Sequence, residues 1–173
     1  MTPRNRAGRS APRRAAKRVR PDGLLRELIG ERTVLCLASS SRRGPWCAPL
    51  FFAPIDGGAR LVFVTDPKSR HGRELAADPR AAAAVWFETA DVKQVRGVQL
   101  AGRVVALAGR DAARARAAFL RRHPRAAPYL AKRPHERFFA FAVARAKVTD
   151  NRRGFGFKVE LAPGRARAPR SSR

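Results

Sequence analysis

The stretch Leu61–Gly102, LVFVTDPKSRHGRELAADPRAAAAVWFETADVKQVRGVQLAG, constrains the fold more than any other part of this chain. Leu61–Thr65 is an apolar, β-branched run of strand length that Asp66-Pro67 breaks. Ser69 is placed to cap a helix over His71–Ala77, and Asp78-Pro79 closes that helix. Two further apolar runs follow, Ala81–Phe87 and Val95–Leu107, the second carrying Gly97 and Gly102. The unit therefore reads strand, basic turn, short helix, strand, loop, strand.

The flanking segments extend the same pattern. Asp22 can cap a short helix over Gly23–Ile29, whose Leu24, Leu25, Leu28 and Ile29 have helical spacing. Thr33–Ala38 is a continuous apolar run, hence a buried strand, and Ser39–Pro45 is a polar turn. Trp46–Ile55 is a strand interrupted by Pro49, which has no N–H for a ladder. Such a proline marks an edge, a bulge or a place where something other than a strand meets the backbone. Asp56-Gly57-Gly58 is a hairpin turn into Leu61–Thr65. Downstream, a helix over Ala112–Arg122 is anchored by Phe119 and Leu120 and covers one end of the molecule, and His123-Pro124 stops it. Pro124–Pro134, with Tyr129, is a broken connection. Arg137–Val148 alternates, with Phe139, Phe141 and Val143 on one face; Thr149–Arg153 turns the chain, and Gly154–Leu161 is the last strand. The order β-β-β-α-β-β-α-β-β with short hairpins predicts a mainly β fold, an antiparallel β-barrel with appended helices.

A chain of 173 residues fits one domain. The formal charge of +25 is unevenly placed: residues 1–20 hold eight basic and no acidic residues, residues 162–173 hold four and none, and +13 remains between them. Both ends lack the apolar residues to bury a face and are expected to be disordered tails around a domain spanning 21–161. Arg outnumbers Lys 32 to 6, a skew that coding bias produces as readily as selection for a polyanion. Cys36 and Cys47 lie in apolar runs without CxxC spacing or a nearby His cluster, so they read as buried reduced thiols in a cytoplasmic protein, neither metal site nor redox pair. No apolar run approaches the roughly 18 residues that span a bilayer.

GxGxxG, Walker and GxSxG motifs are absent, and the acidic residues are scattered, so dinucleotide, P-loop, serine-hydrolase and paired-carboxylate readings have no support. His123 and His135 flank prolines and read as surface residues. The chemistry lies in Lys68-Ser69-Arg70-His71, where a hydroxyl, a guanidinium and an imidazole meet a helix N-terminus. Free N–H groups, the positive helix end and a forked Arg donor suit a phosphate; a solvated basic turn is the plainer alternative.

Phe63-Val64-Thr65, then Ser69-Arg70-His71-Gly72-Arg73-Glu74-Leu75, then Asp78-Pro79-Arg80, preceded by GPWCAPLFF at Gly44–Phe52, resemble the FMN-binding split-barrel family related to pyridoxamine 5′-phosphate oxidase. The resemblance covers Thr33 to Val105, with a weaker tail at Arg137–Leu161, and is closest to a YhbP-like branch that shares Pro-Trp-Cys-Ala, Ser-Arg-His-Gly and Thr-Asp-Asn…Gly-Phe-Gly. It implies an antiparallel split β-barrel of FMN-binding type, a homodimer with flavin at the interface, and a flavin-dependent oxidoreductase acting on a small molecule that the sequence does not name. Trp46, Phe51, Phe52 and the late Phe-rich strand offer apolar surface for such a dimer. The resemblance assigns Thr65, Ser69 and Arg70 to the FMN phosphate with Val64 beside them, and the backbone of Cys47, Ala48, Pro49 and Leu50 to the isoalloxazine edge. His71 stands where the oxidase has Lys and adds charge only when protonated. Gln99 shares a strand face with Gly97 and is either a ring contact or a barrel-surface amide. The oxidase's C-terminal Trp and Arg have only Phe155–Lys158 as a loose counterpart, so vitamin B6 oxidation is not expected. The same fold could instead take a deazaflavin or haem. A rival of another class is a non-catalytic module whose basic tails bind nucleic acid weakly and without specificity.

Overall fold

The structure, a computed structural model, describes residues 21–163, so the basic segment 1–20 and all but two residues of 162–173 lie outside the described residues. Seven strands form one antiparallel sheet: β1 (Val34–Ser41), β2 (Gly44–Ile55), β3 (Arg60–Thr65), β4 (Arg80–Trp86), β5 (Arg96–Ala106), β6 (Arg137–Asp150) and β7 (Lys158–Leu161), in the order β3-β2-β1-β4-β5-β6-β7. β3 also pairs with the first half of β6, from Arg60↔Ala142 to Thr65↔Arg137, and this closes six strands into a barrel. β7 occupies the rest of that edge of β6. The helices are α1 (Pro21–Gly30), α2 (Arg70–Ala77), α3 (Gly109–Arg122) and α4 (Ala127–Ala131). An antiparallel split barrel with appended helices is thus what the chain forms.

The period-2 side-chain alternation of strands fills the barrel. Leu35, Leu37, Leu61, Phe63, Val85, Val98, Leu100, Phe141 and Val148 point in, and Leu24, Leu25, Leu28 and Ile29 of α1 join the same cluster. α1 starts at Pro21, so Asp22 lies within its first turn rather than ahead of it. β1 is not buried on both faces, as its apolar run implied: Leu35, Leu37 and Ser39 are buried, while Val34 is exposed and Cys36 and Ala38 are half-buried. Its outward residues belong to a sheet face that the described residues leave uncovered. Ser39–Ser41, expected in a turn, extend the strand, because Ser39 is the next inward position after Leu37. The last strand is also shorter than expected, since residues 154–157 form a turn before Lys158.

α3 lies on the outer wall, with Ala115 and Phe119 packed on Ala53, Val62 and Ala140, and not over a barrel end. Its last residue serves α1: Arg122 Nη2 donates to the carbonyl of Gly30 (2.7 Å), left unsatisfied at the helix C-terminus, and to that of Arg32 (2.5 Å) just beyond it. Arg122→Ala is expected to remove about 1.5–3 kcal/mol of stability, the range for hydrogen bonds from a charged donor. Urea unfolding reads this, and an unchanged midpoint would show that the capping contributes nothing.

Candidate functional site

β3 delivers Thr65 to the start of α2, and the turn between them folds tightly. A Cβ on Gly72 would lie 2.6 Å from the Pro67 carbonyl oxygen, so only glycine lets the turn pack onto the helix. Ser69 caps the helix: its Oγ accepts from the Gly72 N–H at 3.1 Å and its carbonyl from the Arg73 N–H at 3.0 Å. The N–H groups of Arg70 and His71, in the first turn, have no intrahelical acceptor and are what a helix N-terminus offers an anion. His71 Nε2 sits 2.7 Å from Thr65 Oγ1. Burial pulls the His71 pKa below its ordinary value, against the pull of Glu74 in the other direction, so the ring is neutral at pH 7.

Arg70 turns instead towards the β1–β2 hairpin. Its Nε donates to Glu74 Oε1 at 2.9 Å and its guanidinium lies 4.3 Å from the centroid of the Trp46 ring. Glu74, which sequence reasoning passed over, holds this side together. It is buried and also accepts from Ser39 Oγ (2.6 Å) and Ser41 Oγ (3.0 Å), tying α2 to the β1–β2 hairpin. The Ser39 hydrogen bond, then that of Arg70, lowers its pKa to about 2. Because the folded-state value is depressed, this stabilisation is complete above the ordinary value of 4.5 and is lost as the pH falls through about 2. Thermal melts of Glu74→Gln should therefore fall below wild type at pH 6 and converge with it near pH 2. A constant gap at both values would remove Glu74 from the acid limb. Beyond Glu74, Arg42, Arg43, Arg73 and Arg80 line a basic groove with Arg70.

On the other side of β3 the barrel opens. β2–β3 pairing stops at Phe52↔Phe63, so from Phe51 back to Gly44 no strand among the described residues lies beside the second edge of β2. The Phe52 N–H points at Thr33 O on the β1 side (3.0 Å), so alternation sends the amide positions of Pro49 and Phe51 to the open edge. Pro49 consequently breaks no ladder bond. A cleft of about 860 Å³ occupies this opening and brings Pro49, Leu50 and Val64 together with His123, Arg125, Tyr129 and Arg133. His123 is not the surface residue expected from its sequence neighbours. Its ring packs between Phe51 (5.2 Å) and Phe119 (4.7 Å), and its Nε2 lies 2.8 Å from the Phe52 carbonyl oxygen. The i,i+4 spacing of Phe119 and His123 at the end of α3 is the signal that could have placed it.

The outer face of the sheet carries the remaining candidates. Register runs Pro49↔Cys36↔Ala84↔Gln99 across β2, β1, β4 and β5, which puts Gln99 three strand spacings, about 14 Å, from Pro49. Within one protomer Gln99 does not join the cleft. Cys36, Ala38, Ala82 and Ala84 make this face flat, and Phe51 and Trp86 stand on it 59% and 53% exposed. Phe52, expected to contribute here, is in the core, and Ala48 also faces inward. The cysteines are not two separate buried thiols: Cys47 is exposed, Cys36 is half-buried, and their Sγ atoms are 2.9 Å apart.

Comparison with known proteins agrees with this geometry. The family model for pyridoxamine 5′-phosphate oxidase matches residues 22–151. A UPF0306 protein of Photorhabdus laumondii is 27% identical over 136 residues, 79% of this chain and 92% of its own. Among solved structures, a heme binding protein from Mycobacterium smegmatis matches with a TM-score of 0.71 at 27% identity over 83% of this chain; the match spans only 59% of that protein. A FAD-binding protein from Mesorhizobium loti shares the fold with a TM-score of 0.54 at 18% identity, covering 69% of this chain and 87% of that one. With its six-stranded closure, its open β2 edge and its capped Ser-Arg-His turn, the chain belongs to the pyridoxamine 5′-phosphate oxidase family.

Proposed function

We propose that this protein binds FMN as a homodimer and acts as a flavin-dependent oxidoreductase on a small molecule. The observation that carries the reading is the adjacency of two features at the end of β3. Val64 lines the cleft with Pro49 and Leu50, and the next residue, Thr65, meets His71 at a helix start whose Arg70 and His71 N–H groups have no intrahelical acceptor. In this reading Thr65, Ser69, Arg70 and His71 hold the phosphate, and the Cys47–Leu50 backbone lies along the ring edge. Flavin, when bound, supplies the hydride or electron step, so the chain needs no acid–base dyad of its own. The protein's part is to hold the cofactor and exclude water from it. A two-fold pairing over the outer face would cover Phe51 and Trp86, and would let Gln99 serve the partner's ring. The reading places the protein in the cytoplasm; no helix among the described residues is long and apolar enough to cross a membrane. It leaves the Arg-rich ends only a weak, salt-sensitive attraction for nucleic acid.

The test is an absorbance spectrum of the purified protein followed by titration with FMN and light scattering of the complex. Stoichiometric FMN on a dimer supports the reading. Arg70→Ala should weaken FMN about tenfold, the low end for a charged donor, because Glu74 already shares that guanidinium. A colourless protein that ignores FMN ends the flavin reading. Haem is the second reading, favoured by the heme binding protein from Mycobacterium smegmatis and by a cleft that holds His123 and Tyr129 beside Arg125 and Arg133. Hemin titration separates the two, since a haem held in that cleft would be indifferent to Arg70→Ala.

A further inference from the structure

The two thiols on the outer face have a geometry that neither the fold nor the flavin reading requires. Cys36 sits opposite Pro49 and Cys47 opposite Ala38, so the cysteines are diagonal neighbours on one face of an antiparallel ladder eight residues long. Cys36 is fixed from its other side as well, opposite Ala84 of β4. Strand pairing thus holds the sulfurs together, at 2.9 Å, without help from a loop. One thiol is solvent-exposed and the other half-buried, the division of labour seen when one sulfur meets an external partner and the other completes the exchange. Contact with Cys47, with burial, pushes the Cys36 thiol up to about 11, so Cys36 holds its proton and the exposed Cys47 is the sulfur placed to meet an external partner.

We propose that Cys36 and Cys47 form a two-electron dithiol–disulfide site that exchanges with small disulfides and thiols. The Cys47 thiolate attacks one sulfur of a small disulfide RSSR, forming a mixed disulfide and releasing RS⁻. Cys36 then gives up its proton and attacks Cys47 Sγ, expelling the second RS⁻. The two cysteine thiols are oxidised to one disulfide, RSSR is reduced to two RSH, and the two cysteine protons end on the released thiols. Disulfides in cytoplasmic proteins, where they occur, are mostly of this exchanging kind rather than structural. The proposal does not depend on the flavin reading; the two-fold pairing of that reading would cover this face, so the exchange belongs to the cofactor-free, unpaired protein, and the experiment involves no cofactor.

The full-length protein is equilibrated in oxidised and reduced glutathione at a series of ratios, quenched by alkylation and weighed intact. Wild type should move reversibly between a doubly alkylated form and an unalkylated form lighter than the reduced chain by two hydrogens. Cys36→Ser should stop at a glutathione adduct on Cys47, and Cys47→Ser should form adduct at least tenfold more slowly. The proposal is overturned if wild type accumulates the Cys47 adduct without closing, stays doubly alkylated at every ratio, or oxidises only to disulfide-linked dimers.

Discussion

Gly102→Ala is expected to leave the protein unfolded or insoluble. Between Ala101 and Gly102 the β5–β6 register shifts: Ala101 pairs with Arg145 and Gly102 with Val143, so Ala144 is the extra residue of a bulge. Bulges bend a strand and raise its twist, and this one lies where β6 also closes the barrel. A Cβ on Gly102 would fall 2.0 Å from the Ala142 carbonyl oxygen, and Ala142 is the residue that pairs with Arg60 of β3. Backbone, not a flexible side-chain tip, would have to move, and it is the backbone on which closure depends. The loss should exceed about 4 kcal/mol, in the tail of single substitutions, against a total of about 5–15 kcal/mol for a domain. Gly30→Ala is the control, because nothing lies within 4 Å of a Cβ there. Its melting temperature should equal or slightly exceed wild type. A Gly102→Ala protein that melts within a few degrees of wild type would show that the bulge tolerates a side chain and does not control closure.

Local signals made the order of elements readable. Ser69 acts as the cap its position predicts, Asp56-Gly57-Gly58 turns the hairpin with all three residues at positive φ, and Phe139, Phe141 and Val143 fall on the inner face of β6. What could not be read depends on contacts distant in sequence. The pairing of β3 with β6 has no local signature, since a closing strand looks like any other. The Cys36–Cys47 approach needs the β1–β2 register, which the sequence hides because Ser39–Pro45 reads as a turn and leaves β1 too short to make the two thiols diagonal neighbours. Glu74 looked like an ordinary helix residue until Ser39 was found facing inward beneath it. The cleft draws six of its fourteen lining residues from a Pro-rich connection whose helical turns at Pro124–Ala126 and Ala127–Ala131 carry little periodicity. Thr65 and His71, close in sequence, meet in space, while Arg70 between them turns to Glu74 and Trp46, and Gln99, which only shares a strand face with Gly97, does not join them in one protomer.

His71→Lys is expected to tighten FMN binding about 10- to 100-fold at pH 8, and the pH dependence of that gain tests the proposed phosphate site. The wild-type ring is half-buried, held to Thr65 and depressed below the ordinary value of 6.5, so it meets a phosphate as a neutral donor. Lysine is charged throughout this range, and a charged donor on phosphate contributes about 1.5–3 kcal/mol. An anion bound beside His71 must also raise its pKa, because the charged ring is the form it stabilises. Wild-type affinity should then climb as the pH falls towards the free-protein value and the ring takes up a proton. The phosphate opposes this by losing its second charge near about pH 6. The lysine variant reports that opposing effect alone, so the ratio of the two dissociation constants isolates the histidine. The ratio should narrow from pH 8 to pH 5 as His71 acquires the charge that Lys has throughout. A ratio that stays constant, or a lysine variant that binds FMN no tighter while melting like wild type, would put the phosphate elsewhere. The groove of Arg42, Arg43, Arg73 and Arg80 on the other flank of α2 is then the place to look.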